Sequence, residues 1–246
     1  MGAKTALLVY ADGDPAELLR RARSLDRAAT DELVAQTNPE GAEPTGRTGA
    51  WADYLYPGEG SVYAGCFPGV SVLCDRQAMV DRPSQLPAHL LEPGRGRKVV
   101  LHAMHSVTDW FAYAVWEDGA LVRSLSVSPA EGVIEDIGDR LAFEEPFWAG
   151  EHPVVPAPGW PGQGPYPLPF HPLVLGGEAT LRALFGFVVE GRRRADDLDA
   201  HAIALAEYRV GTAEEPTREE LAEFLRTHTL TRYTYNADGV LVPIDD

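Results

Sequence analysis

The chain has 246 residues, 45% hydrophobic and 24% charged, a globular composition that excludes wholesale disorder. Asp and Glu number 37 against 21 Lys and Arg, a net charge of −16. That is the wrong sign for a polyanion or an anionic lipid surface, so nucleic-acid and membrane-surface partners are set aside.

The length fits one or two domains. With 24 Gly and 20 Pro, against a usual share of about 12% for the pair, many turns and long loops are expected. Thr5 to Ala11 is a short apolar run and predicts a buried opening strand. It stops at Asp12-Gly13-Asp14-Pro15. Asp14 is placed as an N-cap, with Pro15 first in the helix and Glu17 third, and Leu18, Leu19, Ala22 and Leu25 follow at helical spacing. Residues 37 to 60, with Gly, Pro and Thr throughout, read as a long loop.

Ser61 to Phe67 and Val70 to Cys74 flank Pro68-Gly69 and predict a hairpin with Phe67 facing Val70 and Cys66 facing Ser71. Side-chain alternation then puts Cys66 and Cys74 on opposite faces, so no bond joins them. Ser84 to Leu91 reads as a short helix. Lys98 to His105, Trp110 to Glu117 and Ala120 to Val127 predict a three-stranded meander, with Asp118-Gly119 as its second turn. That turn sets Trp116 against Leu121, Ala114 against Arg123 and Ala112 against Leu125. Arg123 is thereby expected on one face with Trp110, Ala112, Ala114 and Trp116.

Eight prolines fall between Pro153 and Pro172, which excludes regular structure because proline lacks the amide donor. The stretch reads as an ordered wrap or a linker, and Trp160, Tyr166 and Phe170 favour a wrap packed on the body, since flexible linkers are usually polar. Glu178 to Glu190 predicts a helix ended by Gly191, and Leu198 to Tyr208 another. A third is expected from the capping box Thr217-Arg218-Glu219-Glu220. Leu230 to Tyr235 and Val240 to Ile244 form a closing hairpin around Asp238-Gly239.

The fold class that follows is α+β, with a mainly antiparallel sheet in the first two-thirds and helices plus a closing hairpin in the last third. The expected organisation is an α+β sheet domain over 1–152, the Pro-rich wrap over 153–172, and a helical segment with the C-terminal hairpin over 173–246, packed on the first as one unit.

The apolar run Ala6–Ala11 is too short for a signal-peptide core, and no stretch approaches the ~20 apolar residues that span a bilayer. Gly2 is followed by Ala at position 6, so the myristoylation pattern fails. Two cysteines in 246 residues are no disulfide framework. A cytoplasmic location is expected. The 19 Arg against 2 Lys, with abundant Ala, Gly, Pro and Asp, fit a GC-rich bacterial coding bias.

The segments MGAKTALLVYADGDP, SVYAGCFPGV, VVLHAMHSVTDWFAYAVWEDG and YPLPFHPLVLG together resemble an actinobacterial family of uncharacterised proteins, over the chain up to about residue 190. The resemblance implies a bacterial cytosolic protein. It implies neither a reaction nor a catalytic residue.

Asp12 and Asp14, at the end of the first strand, are candidate ligand-binding residues. A carboxylate pair there suits a hard cation with a phosphate, while the plainer reading is a turn and a cap. Trp110 is a third ligand-binding candidate, as a pocket-lining aromatic. His105 and Asp109 in the first turn of the meander, with Arg123 expected on the same face as His105, are the catalytic candidates for proton transfer or oxyanion binding. The bland alternative for Arg123 is an ion pair with Glu144, Glu145 or Glu151.

No metal site is expected from His102, His105, Glu151, His152 and His171, since His102 and His105 on one strand point to opposite faces and neither H-E-x-x-H nor C-x-x-C is present. Cys66 as a nucleophile is outweighed by its reading as a small buried hydrophobe. No cofactor is implied.

These residues point to a binding or regulatory module for a protein partner or a small ligand. The alternative is an enzyme acting on a polar or phosphorylated small substrate through Asp12 and Asp14 or His105 and Asp109, with Arg123 orienting an anionic group. A homo-oligomer in which the Pro-rich wrap crosses to a second subunit is a third reading.

Overall fold

The computed structural model describes residues 2–154, 166–189, 191–211, 233–235 and 241–243. Two compact units divide the chain, Met1–Gly211 and Thr212–Asp246. The first is built on β1 (Lys4–Ala11), α1 (Pro15–Arg21), α2 (Arg27–Thr37), β2 (Ala42–Ala50), β3 (Ser61–Phe67), β4 (Val70–Cys74), α3 (Ala88–Leu91), β5 (Lys98–His105), β6 (Trp110–Glu117), β7 (Ala120–Ser128), β8 (Gly132–Ile137), α4 (Glu145–Trp148), α5 (Leu181–Phe185) and β9 (Ala204–Val210). In the second, β10 (Tyr233–Tyr235) pairs antiparallel with β11 (Leu241–Pro243), Tyr235 against Leu241. This pair falls within the expected closing hairpin. Asp238-Gly239 and the helix expected from Thr217 lie outside the described residues.

The nine strands described in the first unit form one antiparallel sheet in the order β2-β9-β3-β4-β1-β5-β6-β7-β8, and the chain is α+β. Central β1 is covered on both faces, which is why Thr5 to Ala11 reads as an unbroken apolar run. Leu7 and Val9 point into one core layer with Val72, Phe111, Tyr113 and Phe185. Ala6, Leu8 and Tyr10 point into the other, with Leu33, Leu90, Trp110 and Trp116. Helix α1 starts as its sequence dictates, the Asp14 carboxylate accepting the Glu17 amide at 2.8 Å behind Pro15. It ends sooner than the run through Leu25 suggests, because Asp26 caps a separate α2 and its amide bonds to the Cys66 carbonyl.

Both hairpins in the middle of the sheet have the turns expected. Phe67 faces Val70 and Cys66 faces Ser71, so Cys66 and Cys74 lie in opposite core layers as free, buried thiols. Asp118 and Gly119 both take positive φ, 50° and 81°, as a two-residue turn matched to strand twist requires.

Several expectations are corrected. Residues 42–50 are no loop: β2 is an edge strand on β9, with a register shift between Pro44 and Thr48. An edge tolerates proline, and its mostly exposed side chains leave no apolar alternation to read. The expected helix Leu198 to Tyr208 is instead a 3₁₀ turn, Ala200–Ala202, followed by β9 between β2 and β3. Leu205 points to one core layer and Ala206 and Tyr208 to the other, a period of two that the alanines disguise.

Nor does a regular helix run from Glu178 to Glu190. A π-helical turn, Val174–Thr180, leads into α5, which stops at Gly186 with φ 83°. The expected Ser84–Leu91 helix divides into a 3₁₀ turn, Pro83–Gln85, and α3. Of the Pro-rich stretch, residues 166–172 are packed on the body, with Leu168 and Phe170 buried in the core. Trp160 lies outside the described residues.

The register of the meander is also corrected. Trp116 does oppose Leu121, but a bulge then sets Arg123 against Val115 and Leu125 against Tyr113. One extra residue turns every later side chain of β7 to the other face. Arg123 therefore leaves the face of Trp110 and Ala112 and joins that of Phe111 and Tyr113. Gly138, at φ 80°, fits against the bulge because a Cβ there would lie 1.9 Å from the Val122 carbonyl oxygen.

Candidate functional site

Arg123 carries no exposed surface, and a buried guanidinium requires partners. Its Nε and Nη2 donate to the two carboxylate oxygens of Glu144 at 2.9 and 2.7 Å. Nη1 donates to Asp136 and to the carbonyls of Ile137 at 3.0 Å and Gly138 at 3.2 Å. Glu144 also accepts from the Tyr113 hydroxyl and, at 2.8 Å, from the Leu141 amide. Burial alone would lower the Arg123 pKa, but the hydrogen bonds it donates to Glu144 and Asp136 outweigh this and hold the group charged. Burial and the Glu144 charge push the Tyr113 hydroxyl up. The network ties the segment around α4 to the sheet.

The other sequence candidates are scattered. His105 opposes Trp110 as expected, while the bulge puts Arg123 on the opposite face. The His105 Nδ1 lies 3.3 Å from the Thr108 hydroxyl. Asp109, at φ 52°, sits 3.6 Å from the His171 Nε2. The His171 Nδ1 accepts the Leu173 amide at 3.3 Å. Burial and the nearby Asp109 charge raise Tyr166, whose ring stacks on His171, to about 12.

Asp12 accepts from the Arg97 Nε at 2.7 Å, and Asp14 is occupied as the α1 cap. Both border an open polar pocket of about 370 Å³ with Lys98 and Glu117, where Lys98 and Glu117 pair at 3.0 Å. The Trp110 ring is buried, and its Nε1 has no hydrogen-bond partner among the described residues. Burial raises the Cys66 thiol, the wrong direction for a nucleophile. Among the described residues no group of three or more His, Cys, Asp or Glu could hold a metal ion, and no helix is long and apolar enough to cross a membrane.

A second buried polar group stands on the same face of the sheet as Arg123. His102 on β5 has no exposure; its Nδ1 lies 2.8 Å from the Thr5 hydroxyl and its Nε2 3.0 Å from the Gly176 carbonyl. A carbonyl only accepts, so Nε2 carries the proton and Thr5 donates to Nδ1. Burial lowers the His102 pKa to about 4. The neutral ring thus holds the π-helical turn on the sheet, while Gly176 lets that turn come so close to Phe111 that a Cβ would lie 2.4 Å from its ring.

Between these two anchored segments lies a cleft of about 470 Å³. Phe143, Pro146, Phe147 and His152 form one side, with the His152 ring stacked on Phe147 at 4.3 Å. Val174, Ala179 and Ala183, from the π turn and α5, form the other, with Glu178, Arg182 and Arg194 at its polar part. Sequence reasoning missed these residues. The Gly176-Gly177 pair and the Arg192–Arg194 run were the available signals, and reading 178–190 as a regular helix concealed both.

In comparison with known proteins, residues 5–208 match the model of a family described as a family of unknown function (DUF6928). No curated protein and no solved structure matches the chain.

Proposed function

The chain belongs to the family DUF6928, whose function is unknown, and from its own residues we propose that it is a small-ligand-binding module that takes its ligand in the cleft between α4 and the π-helical turn. One observation carries this reading: both walls are fixed to the same face of the sheet by buried polar groups, Glu144 on Arg123 and the Gly176 carbonyl on His102. Buried polar groups cost more to keep than apolar packing and are best justified where position matters. π-Helical turns are frequent at functional sites, and this one supplies Val174 and Ala179 to the cleft. The volume and the apolar lining suit a small organic molecule.

The enzyme alternative has less support. His105 and Arg123 face opposite sides of the sheet, and Asp14 is spent on a helix cap. A cytoplasmic setting is supported by the two free cysteines, and nucleic acid is disfavoured by the net charge of −16.

The test is a fragment screen by ligand-observed NMR on the intact chain and on Ala183→Trp. Ala183 is exposed, so the indole fills the cleft without disturbing the core. Fragments that bind the parent and are lost in Ala183→Trp support the reading. Fragments that bind both equally, or no binding at all, overturn it.

A further inference from the structure

We propose that the ligand is an apolar monocarboxylic acid, with its hydrocarbon or ring body against Phe143 and Phe147 and its carboxylate on the Arg194 guanidinium. This inference rests on the cleft being a binding site and names the ligand class by asking which polar groups there remain open. Arg182 does not: its Nε donates to Asp197 at 2.9 Å, its Nη1 to Glu178 at 3.2 Å and its Nη2 to the Arg192 carbonyl at 2.8 Å. Asp197 is engaged through both oxygens, while Glu178 accepts from Arg182 through Oε1. Asp197 also accepts the Arg194 amide at 2.7 Å. Although burial raises its pKa, the Arg182 hydrogen bond, the Arg194 amide and the Arg182 and Arg194 charges hold Asp197 below the usual range.

Arg194 differs. It lines the cleft from an exposed loop, and its guanidinium has no ion-pair partner among the described residues. A single planar guanidinium matches a carboxylate with two parallel hydrogen bonds. A phosphate dianion calls for more donors than this one fork supplies, so a monoanion is the better fit. The remaining lining is apolar, with the stacked Phe147 and His152 rings on one side and short side chains on the other. Such walls favour a flat or branched hydrocarbon body.

The experiment titrates the intact chain by calorimetry at low ionic strength with 1-naphthylacetic acid, 1-naphthylacetamide and 1-naphthyl phosphate. The acid should bind about tenfold more tightly than the amide, as one charge-assisted hydrogen-bonded contact at a partly exposed site allows. Arg194→Gln should remove that difference by weakening the acid far more than the amide, and Ala183→Trp should abolish binding of all three.

An amide that binds as well as the acid, a preference that survives Arg194→Gln, or a phosphate that binds tightest overturns the ligand class. If Ala183→Trp still blocks binding in those cases, the cleft stands as a site. Failure of all three probes, together with a fragment screen blind to Ala183→Trp, overturns both.

Discussion

Arg123 and Glu144 meet through two parallel hydrogen bonds of 2.9 and 2.7 Å, with neither side chain exposed to solvent. The pair joins β7 to the residue that opens α4, and the Leu141 amide and Tyr113 hydroxyl complete the shell around the carboxylate. Removing Arg123 leaves the Glu144 carboxylate buried without a cation, and removing Glu144 leaves the Arg123 Nε and Nη2 donors buried with Asp136 as the remaining carboxylate, circumstances in which breaking an ion pair is costly.

Glu144→Ala should accordingly destabilise the chain by about 3–5 kcal/mol, and Arg123→Met by a similar amount. The double variant should cost clearly less than the two together, because the residues act as one unit. Urea denaturation of the four proteins measures this. Additive costs would show that Arg123 draws its support from Asp136 and the Ile137 and Gly138 carbonyls instead.

His102 makes stability depend on pH. Its folded pKa is about 4 against an ordinary 6.5, so between these values the unfolded chain takes up a proton that the folded chain refuses. The full stability is present above pH 6.5 and is lost as pH falls toward 4, at about 1.4 kcal/mol per pH unit and about 3 kcal/mol in all. Denaturation between pH 7 and 4.5 should show this slope in the parent. His102→Phe should be less stable at pH 7, having lost the bond to Gly176, and its slope should be shallower by that amount. An unchanged slope would remove His102 as the cause.

How much of this was legible depends on whether the cause was local. The α1 cap, the Pro68-Gly69 hairpin and the Asp118-Gly119 turn are set by neighbouring residues, and the structure has each where the sequence put it. The bulge at Val122 is not local. It is supported by Gly138, on the loop beyond β8, and by Glu144, which holds Arg123 on the far face. Counting outward from the turn could not find it, and Arg123 was assigned the wrong face while Glu144 stood among its expected partners. The edge strand β2 and the Ala-rich β9 are strands because each meets a neighbour distant in sequence. The cleft draws on segments around 143–152, 174–183 and 194, a proximity that spacing does not encode.

Gly176 tests whether the π-helical turn must lie where it does. A Cβ there would meet the Phe111 ring at 2.4 Å, and Phe111 is fully buried, so the turn rather than the ring must give. Gly176→Ala should cost about 1–3 kcal/mol, as overpacking does, and should weaken any ligand of the cleft by moving Val174 and Ala179. Denaturation and a repeat of the fragment titration check both. A stability loss with unchanged ligand affinity would show that the turn's position does not shape the cleft.

The two thiols provide a last test of the sheet itself. Cys66 and Cys74 lie on neighbouring strands, β3 and β4, but in opposite core layers, and a disulfide needs Cβ atoms that approach within about 4.5 Å on one side. Burial raises both thiols, which suppresses the reactive thiolate. Under native conditions a thiol reagent such as dithionitrobenzoate should therefore label neither residue on the time scale of minutes, and a mild oxidant should leave the mass unchanged. In denaturant both should label at once, giving two equivalents per chain. A loss of two mass units on oxidation of the folded protein would mean that the register Cys66 against Ser71 is wrong, and with it the assignment of residues to the two core layers.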